Sequence, residues 1–91
     1  MMIGQVVGTV VATRKSEALV GQKLLVLKPL YAPRNEDLVV AVDTVGAGVG
    51  ETVLVTVGSG AREAMRAQNV PIDAAIVGIV DTVKISGSEQ G

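Results

Sequence analysis

Short valine-rich runs alternate along this chain with breaks that carry glycine, proline and acidic residues. β-branched side chains fit a pleated strand and lose rotamer freedom in a helix. The pattern predicts five strands, at residues 2–12, 23–28, 38–45, 52–57 and 74–85. Gly4 and Gly8 share one face of the first strand, where another backbone approaches closely or the strand bends. Residues 13–18 are polar and predict a loop. Pro29 lacks an N–H and stops the second strand. Residues 31–37 (YAPRNED) predict an exposed connection, and 46–51 (GAGVGE) a glycine turn. Residues 61–68 hold good helix formers and predict the single helix, about two turns long, with Ser59 as its cap. Residues 69–73 turn the chain into the last strand. Residues 1–85 thus form one β-barrel domain, and 86–91 a polar C-terminal tail. Val42-Asp43-Thr44-Val45 recurs as Val80-Asp81-Thr82-Val83, which the abundance of valine explains by chance.

Five short strands and one short helix predict an all-β fold, a small antiparallel five-stranded OB-like barrel. A free-standing barrel alternates apolar and polar positions. Here Leu38, Val40 and Val42 face one way while Val39, Ala41 and Val45 face the other. Ala75, Val77 and Ile79 oppose Ile76 and Val80, and Val6 and Val10 oppose Val7 and Val11. Strands apolar on both faces need cover on both faces. One short helix supplies too little, so further copies of the chain are expected to cover the rest. Head-to-tail contacts between identical copies close into a ring.

Composition narrows the chemistry. The 91 residues make one domain, with valine at 18 positions, 48% hydrophobic residues and a mean hydropathy of +0.49. Cysteine is absent, so there is no disulfide framework and no thiolate nucleophile or metal ligand. Histidine is absent too, which removes the commonest general base and metal ligand. One tyrosine, no Phe and no Trp leave no stacking platform for nucleic acid, and a net charge of −1 leaves no basic groove. No apolar run nears the ~18–20 residues of a membrane helix. Basic residues follow the first apolar run instead of preceding it, the wrong order for a secretory signal, so a cytoplasmic protein is expected.

Two glycine segments are the candidate sites. Gly46, Ala47, Gly48, Gly50 and Glu51 form a G-x-G-x-G turn, with a strand after it where a dinucleotide loop needs a helix. Gly48 is expected at positive φ, so that Gly48→Val disrupts the turn. Gly58, Ser59, Gly60, Ala61 and Arg62 open the helix and form a candidate pore or anion loop. Asp43, Glu51, Asp73 and Asp81 read as strand-end acids that serve solubility or pair between subunits with Arg62, Arg66, Lys28 or Lys84, and Arg14-Lys15 as a solvated pair. No catalytic residue, cofactor or metal is expected. An anion-binding ring or pore, and an OB-type nucleic-acid module, are the alternative functions.

Taken in order, the segments Gly4-x-Val6-x-Gly8-x-Val10-Val11-Ala12-Thr13 and Gly21-x-Lys23-Leu24-Leu25 resemble the opening of the EutN/CcmL family, the pentameric shell proteins of bacterial microcompartments. Val42-Asp43-x-Val45-Gly46-Ala47-Gly48-x-Gly50-Glu51-x-Val53-Leu54 resembles its central signature. Gly58-Ser59-Gly60-Ala61-Arg62 resembles its Gly-Ser-Ser-Ala-Arg loop, with Gly60 in place of the second serine. Residues 73–81 (DAAIVGIVD) resemble its closing strand. The resemblance implies a non-enzymatic, cytoplasmic homopentamer that caps the vertices of a polyhedral shell and meets hexameric shell proteins. It implies no nucleic-acid or membrane partner. It places assembly contacts at the two glycine segments, with the second near the ring axis. Residues 31–37 are shorter than the glycine-rich hairpin usual in the family.

Overall fold

The computed structural model describes residues 1–13, 15–31, 37–64 and 72–86. Five strands are present: β1 (Met2–Val10), β2 (Leu24–Pro29), β3 (Val39–Asp43), β4 (Thr52–Val57) and β5 (Ala74–Ile79). One short helix, α1 (Ser59–Ala64), joins β4 towards β5. The strands close into a barrel in the order β1-β2-β3-β5-β4. All neighbours are antiparallel except β3 and β5, which run parallel with Val42 opposite Ala75 and Asp43 opposite Ile76. The expected all-antiparallel barrel is corrected at that one seam. β4 lies between them in the chain and runs opposite to both, so the chain reverses twice and β5 returns alongside β3 with the same sense.

Inside the barrel, Val6, Leu25, Leu27, Ala41, Val53, Val55, Ala74 and Ile76 form one buried cluster with Ala47. Each large aliphatic among them contributes ~1.5–3 kcal/mol by leaving water. Gly4 sits opposite Pro29, where a Cβ would lie 3.3 Å from the Lys28 carbonyl oxygen. The register of β1 against β2 slips between Val6 and Gly8, so the first glycine serves close approach and the second a bend.

Several boundaries differ from the sequence reading. β1 ends at Val10, and the expected loop at 13–18 runs into a 3-10 turn at Glu17–Leu19, with the Ser16 hydroxyl accepting from the Ala18 N–H at 3.4 Å. Pro29 is the last residue of β2 instead of lying past it, and pairing passes through it, because the Leu30 N–H reaches the Ile3 carbonyl at 2.9 Å. α1 begins at Ser59, which makes Ser59 a helical residue and not its cap. The predicted helix positions 65–68, most of the turn at 69–73, residues 32–36 of the connection, Arg14 and tail residues 87–91 lie outside the described residues. β5 stops at Ile79, six residues short of the expected end. Its register against β4 slips so that Leu54 faces Gly78 and Val55 faces Ile76, leaving Val77 as a bulge.

The second face of the sheet is partly covered from within. α1 packs on β4 and β5, and Ala61 and Ala75 are buried there. Val42 is also buried, beside Leu19, Leu24 and Ile72. Val7, Val40, Val57 and Ile79 stay exposed on four different strands, Val57 and Ile79 at strand ends opposite the core residues Ala74 and Val53.

Candidate functional site

The turn between β3 and β4 is organised by two carboxylates. Asp43 ends β3, and its side chain is only 2% exposed. One carboxylate oxygen accepts the N–H groups of Val45 (3.0 Å) and Gly46 (3.1 Å), and the other accepts that of Ala47 (2.9 Å). An aspartate that gathers the next amides is the ordinary start of a tight turn. Lys23 lies 4.0 Å from the same carboxylate and donates to the Ala47 carbonyl at 2.9 Å. Ala47, fully buried, then pins the turn to the core.

Glu51 closes the other side. Its Oε1 accepts the Gly48 N–H at 2.6 Å, and its own N–H donates to the Gly48 carbonyl at 3.1 Å. The Gly50 N–H reaches the Val6 carbonyl (2.8 Å), and the Val6 N–H reaches the Glu51 carbonyl (2.9 Å). Left-handed backbone occurs at Gly46 (φ 82°) and Gly50 (φ 95°), not at Gly48. The expectation for Gly48 is therefore transferred to its two neighbours. A Cβ on Gly48 meets only Glu51 Oε1 at 3.6 Å, an ordinary contact.

The second glycine segment forms a left-handed Gly58 (φ 66°) and the short helix after it. The Gly58 N–H donates to the Asp73 carbonyl at 2.8 Å, and its carbonyl accepts from Ala61 at 3.1 Å. Ser59 is exposed. Arg62 turns back, donating from Nη1 to the Ile72 carbonyl at 3.2 Å, and so ties α1 to the start of β5. Gly60 is packed tightly, since a Cβ there would sit 2.5 Å from Thr56 Oγ1.

The structure thus separates the two segments and assigns each an internal role. It joins Asp43 to Lys23, a partner absent from the pairings expected for the strand-end acids. The signal lay in the sequence as an aspartate followed three residues later by Gly46. Lys23 is 20 positions upstream, and only the β2–β3 pairing, with the Asp43 N–H on the Lys23 carbonyl at 2.9 Å, brings it near. Thr44 adds a bond from Oγ1 to the Ile76 carbonyl at 2.7 Å, which fastens the parallel seam. Among the described residues, no group of three or more acidic side chains is placed to hold a metal ion.

With this geometry in hand, the family model described as "Ethanolamine utilisation protein EutN/carboxysome" matches residues 1–81. The bacterial microcompartment shell vertex protein GrpN of Rhodospirillum rubrum (strain F11) is 52% identical over 86 residues, covering 92% of this chain and 97% of its own length. The shell vertex protein PduN of Salmonella typhimurium is 48% identical, covering 91% of this chain and 98% of its own. Among solved structures, the GrpN pentameric microcompartment shell protein superposes with a TM-score of 0.79 at 49% identity, covering 93% of this chain and 98% of that one. Gloeobacter violaceus CcmL gives 0.80 at 41% identity, covering 94% and 91%. The family-model match over residues 1–81 and these near-full-length likenesses in sequence and barrel fold show that the chain belongs to the EutN/CcmL family.

Proposed function

We propose that this protein is a structural, non-enzymatic subunit that closes into a homopentamer and caps the vertices of a bacterial microcompartment shell in the cytoplasm. The observation that carries the reading is the near-complete match to a shell protein described as pentameric, at 49% identity over 98% of that chain. The physics of the single chain supports it. Val7 and Val40 present apolar side chains within the sheet, and Val57, Ile79, Leu38, Val45 and Val49 add exposed apolar side chains at strand ends and turns. Lateral contact between copies takes such side chains out of water, at ~25 cal/mol for each Å² of apolar surface before association costs.

Within the ring, residues Gly46, Ala47, Gly48, Gly50 and Glu51 hold the shape of a turn that offers Val45 and Val49 to a neighbour. Residues Gly58, Ser59, Gly60, Ala61 and Arg62 lie towards the axis, with exposed Ser59 as the polar group there. The hexameric shell proteins are the partners that such a ring meets at its rim. A shell of flat six-fold units closes only with five-fold units at its corners. Native mass spectrometry tests the assembly. The expected species is near ~46 kDa, five copies of the 9.3 kDa chain in a closed ring. A lone monomer or dimer at micromolar concentration overturns the ring, and a stable hexamer overturns the corner role.

A further inference from the structure

The last described segment, residues 81–86, has the features of a strand without a partner. Its sequence, DTVKIS, alternates strictly from Thr82: Val83 and Ile85 lie on one side, Thr82, Lys84 and Ser86 on the other. No other strand of the chain alternates so cleanly, and this one pattern is that of a half-buried strand. The last backbone bond before it runs from the Val80 N–H to the Thr52 carbonyl at 2.8 Å. Among the described residues, no backbone or side-chain hydrogen bond involves residues 81–86. The contrast with its sequence twin is direct. In Val42-Asp43-Thr44-Val45, the aspartate and threonine side chains make four hydrogen bonds to backbone; in Val80-Asp81-Thr82-Val83 they make none among the described residues.

The barrel also has an open edge. β4 pairs with β1 only from Met2 to Gln5, and the turn adds bonds at Val6. Beyond that point, Gly8, Thr9 and Val10 pair with β2 alone among the described residues. Val7 and Val11, 42% and 94% exposed, flank this edge with apolar side chains. Unpaired strand edges with exposed apolar neighbours recruit other strands.

From these two features, resting on the ring reading above, we infer that residues 81–86 are an intersubunit arm, which adds as a strand to the open edge of β1, at residues 7–10, on the adjacent copy. The occupant is a second copy of this chain because the arm and the edge are different surfaces of one molecule. A contact of that kind is head-to-tail, and it repeats around a closed ring until every edge is filled. Thr82, Lys84 and Ser86 then come onto the Thr9 side of the edge, and Val83 and Ile85 pack on the other side, across from Gly8 and Val10, as cross-strand pairs do.

The chain has no cysteine, so engineered pairs report the contact cleanly. Thr9→Cys is combined in turn with Thr82→Cys, Lys84→Cys and Ser86→Cys, all at exposed positions, in the full-length protein. Paired strands bring Cα atoms within the range a disulfide spans. Mild oxidation is expected to give a covalent ladder up to five chains for at least one pair. Single-cysteine chains carrying T9C and K84C, mixed before assembly, are expected to link only to each other. A link confined to one chain overturns the inference, because the arm then lies on its own barrel. No link from any pair while the mass stays pentameric overturns it too and leaves the ring reading standing. Ile85→Asp is expected to lower the pentamer fraction on dilution with an unchanged circular dichroism spectrum. An unaltered pentamer fraction overturns the arm.

Discussion

Replacing Asp43 by alanine tests the idea that one buried carboxylate sets the β3–β4 turn. Three backbone N–H groups lose their acceptor. A hydrogen bond to an ionised group is worth ~1.5–3 kcal/mol. Val45 and Gly46 are exposed, so water takes over much of their two bonds, whereas Ala47 is fully buried and its N–H is left wanting. Counting that bond in full and the others in small part gives a loss of about 3 kcal/mol. For a domain of this size, that lowers the melting temperature by about 10–20 °C. Asp43→Asn keeps one acceptor oxygen, which can turn to the buried Ala47 N–H and leave the amide NH2 beside the exposed Val45 and Gly46 N–H groups, for a loss of roughly half as much. Lys23→Met removes a 4.0 Å ion pair from a side chain 54% exposed, together with one bond to the Ala47 carbonyl, and after solvent screening is expected to cost under about 1 kcal/mol. The assay is thermal unfolding by circular dichroism at one fixed protein concentration, because ring formation itself shifts stability. Equal losses for Asp43→Ala and Lys23→Met, or an Asp43→Ala melt within about 2 °C of the parent, refute the reasoning.

Three further outcomes are expected. Gly46→Ala and Gly50→Ala each force a Cβ into left-handed backbone and are expected to cost about 1–2 kcal/mol, while Gly48→Ala stays within about 1 kcal/mol of the parent; a melting series of the three variants checks the order. Gly60→Ser drives a side chain towards Thr56 Oγ1 and is expected to cost about 1–3 kcal/mol, most of it recovered in the double variant with Thr56→Ala; urea titration of the four-member cycle measures that coupling. Ile76→Ala, at the centre of the barrel, is expected to cost about 2–5 kcal/mol and to unfold much of the protein at 37 °C, read by amide exchange.

The strands were legible because valine runs and glycine breaks report local geometry. Their ends were not. β3 stops at Asp43 because its carboxylate captures the next amides, although Val45 continues the apolar pattern. β5 stops at Ile79 because, among the described residues, no neighbour offers a ladder to residues 81–85, although alternation persists there. The parallel seam between β3 and β5 depends on barrel closure, which no window of sequence contains. In the G-x-G-x-G turn the spacing announced a reversal, yet three glycines are equivalent on paper. Which two take positive φ depends on where Asp43 and Glu51 hold the chain from either side. The role of Arg62 was hidden for a similar reason, since its acceptor at Ile72 is brought near only when α1 folds back.

The hydrogen-bonding accounts of the two glycine segments constrain how copies can meet. Around residues 43–51, Asp43 and Glu51 Oε1 accept four of the turn's backbone N–H groups. A neighbour that took over those acceptors would have to break bonds already made, at about 1–3 kcal/mol for each buried group left unsatisfied. Val45 and Val49, 40% and 63% exposed, offer apolar contact on a rigid base. At α1, Arg62 is engaged with the Ile72 carbonyl, while Ser59 and Glu63 project polar groups. Backbone with no partner among the described residues, at the upper edge of β1 and in the segment beyond β5, offers a contact of a different kind. Valine faces alone slide, since apolar burial carries no direction. A ladder of backbone bonds between an edge and an arm has a register, and register is what a ring needs if every copy is to meet the next at the same angle.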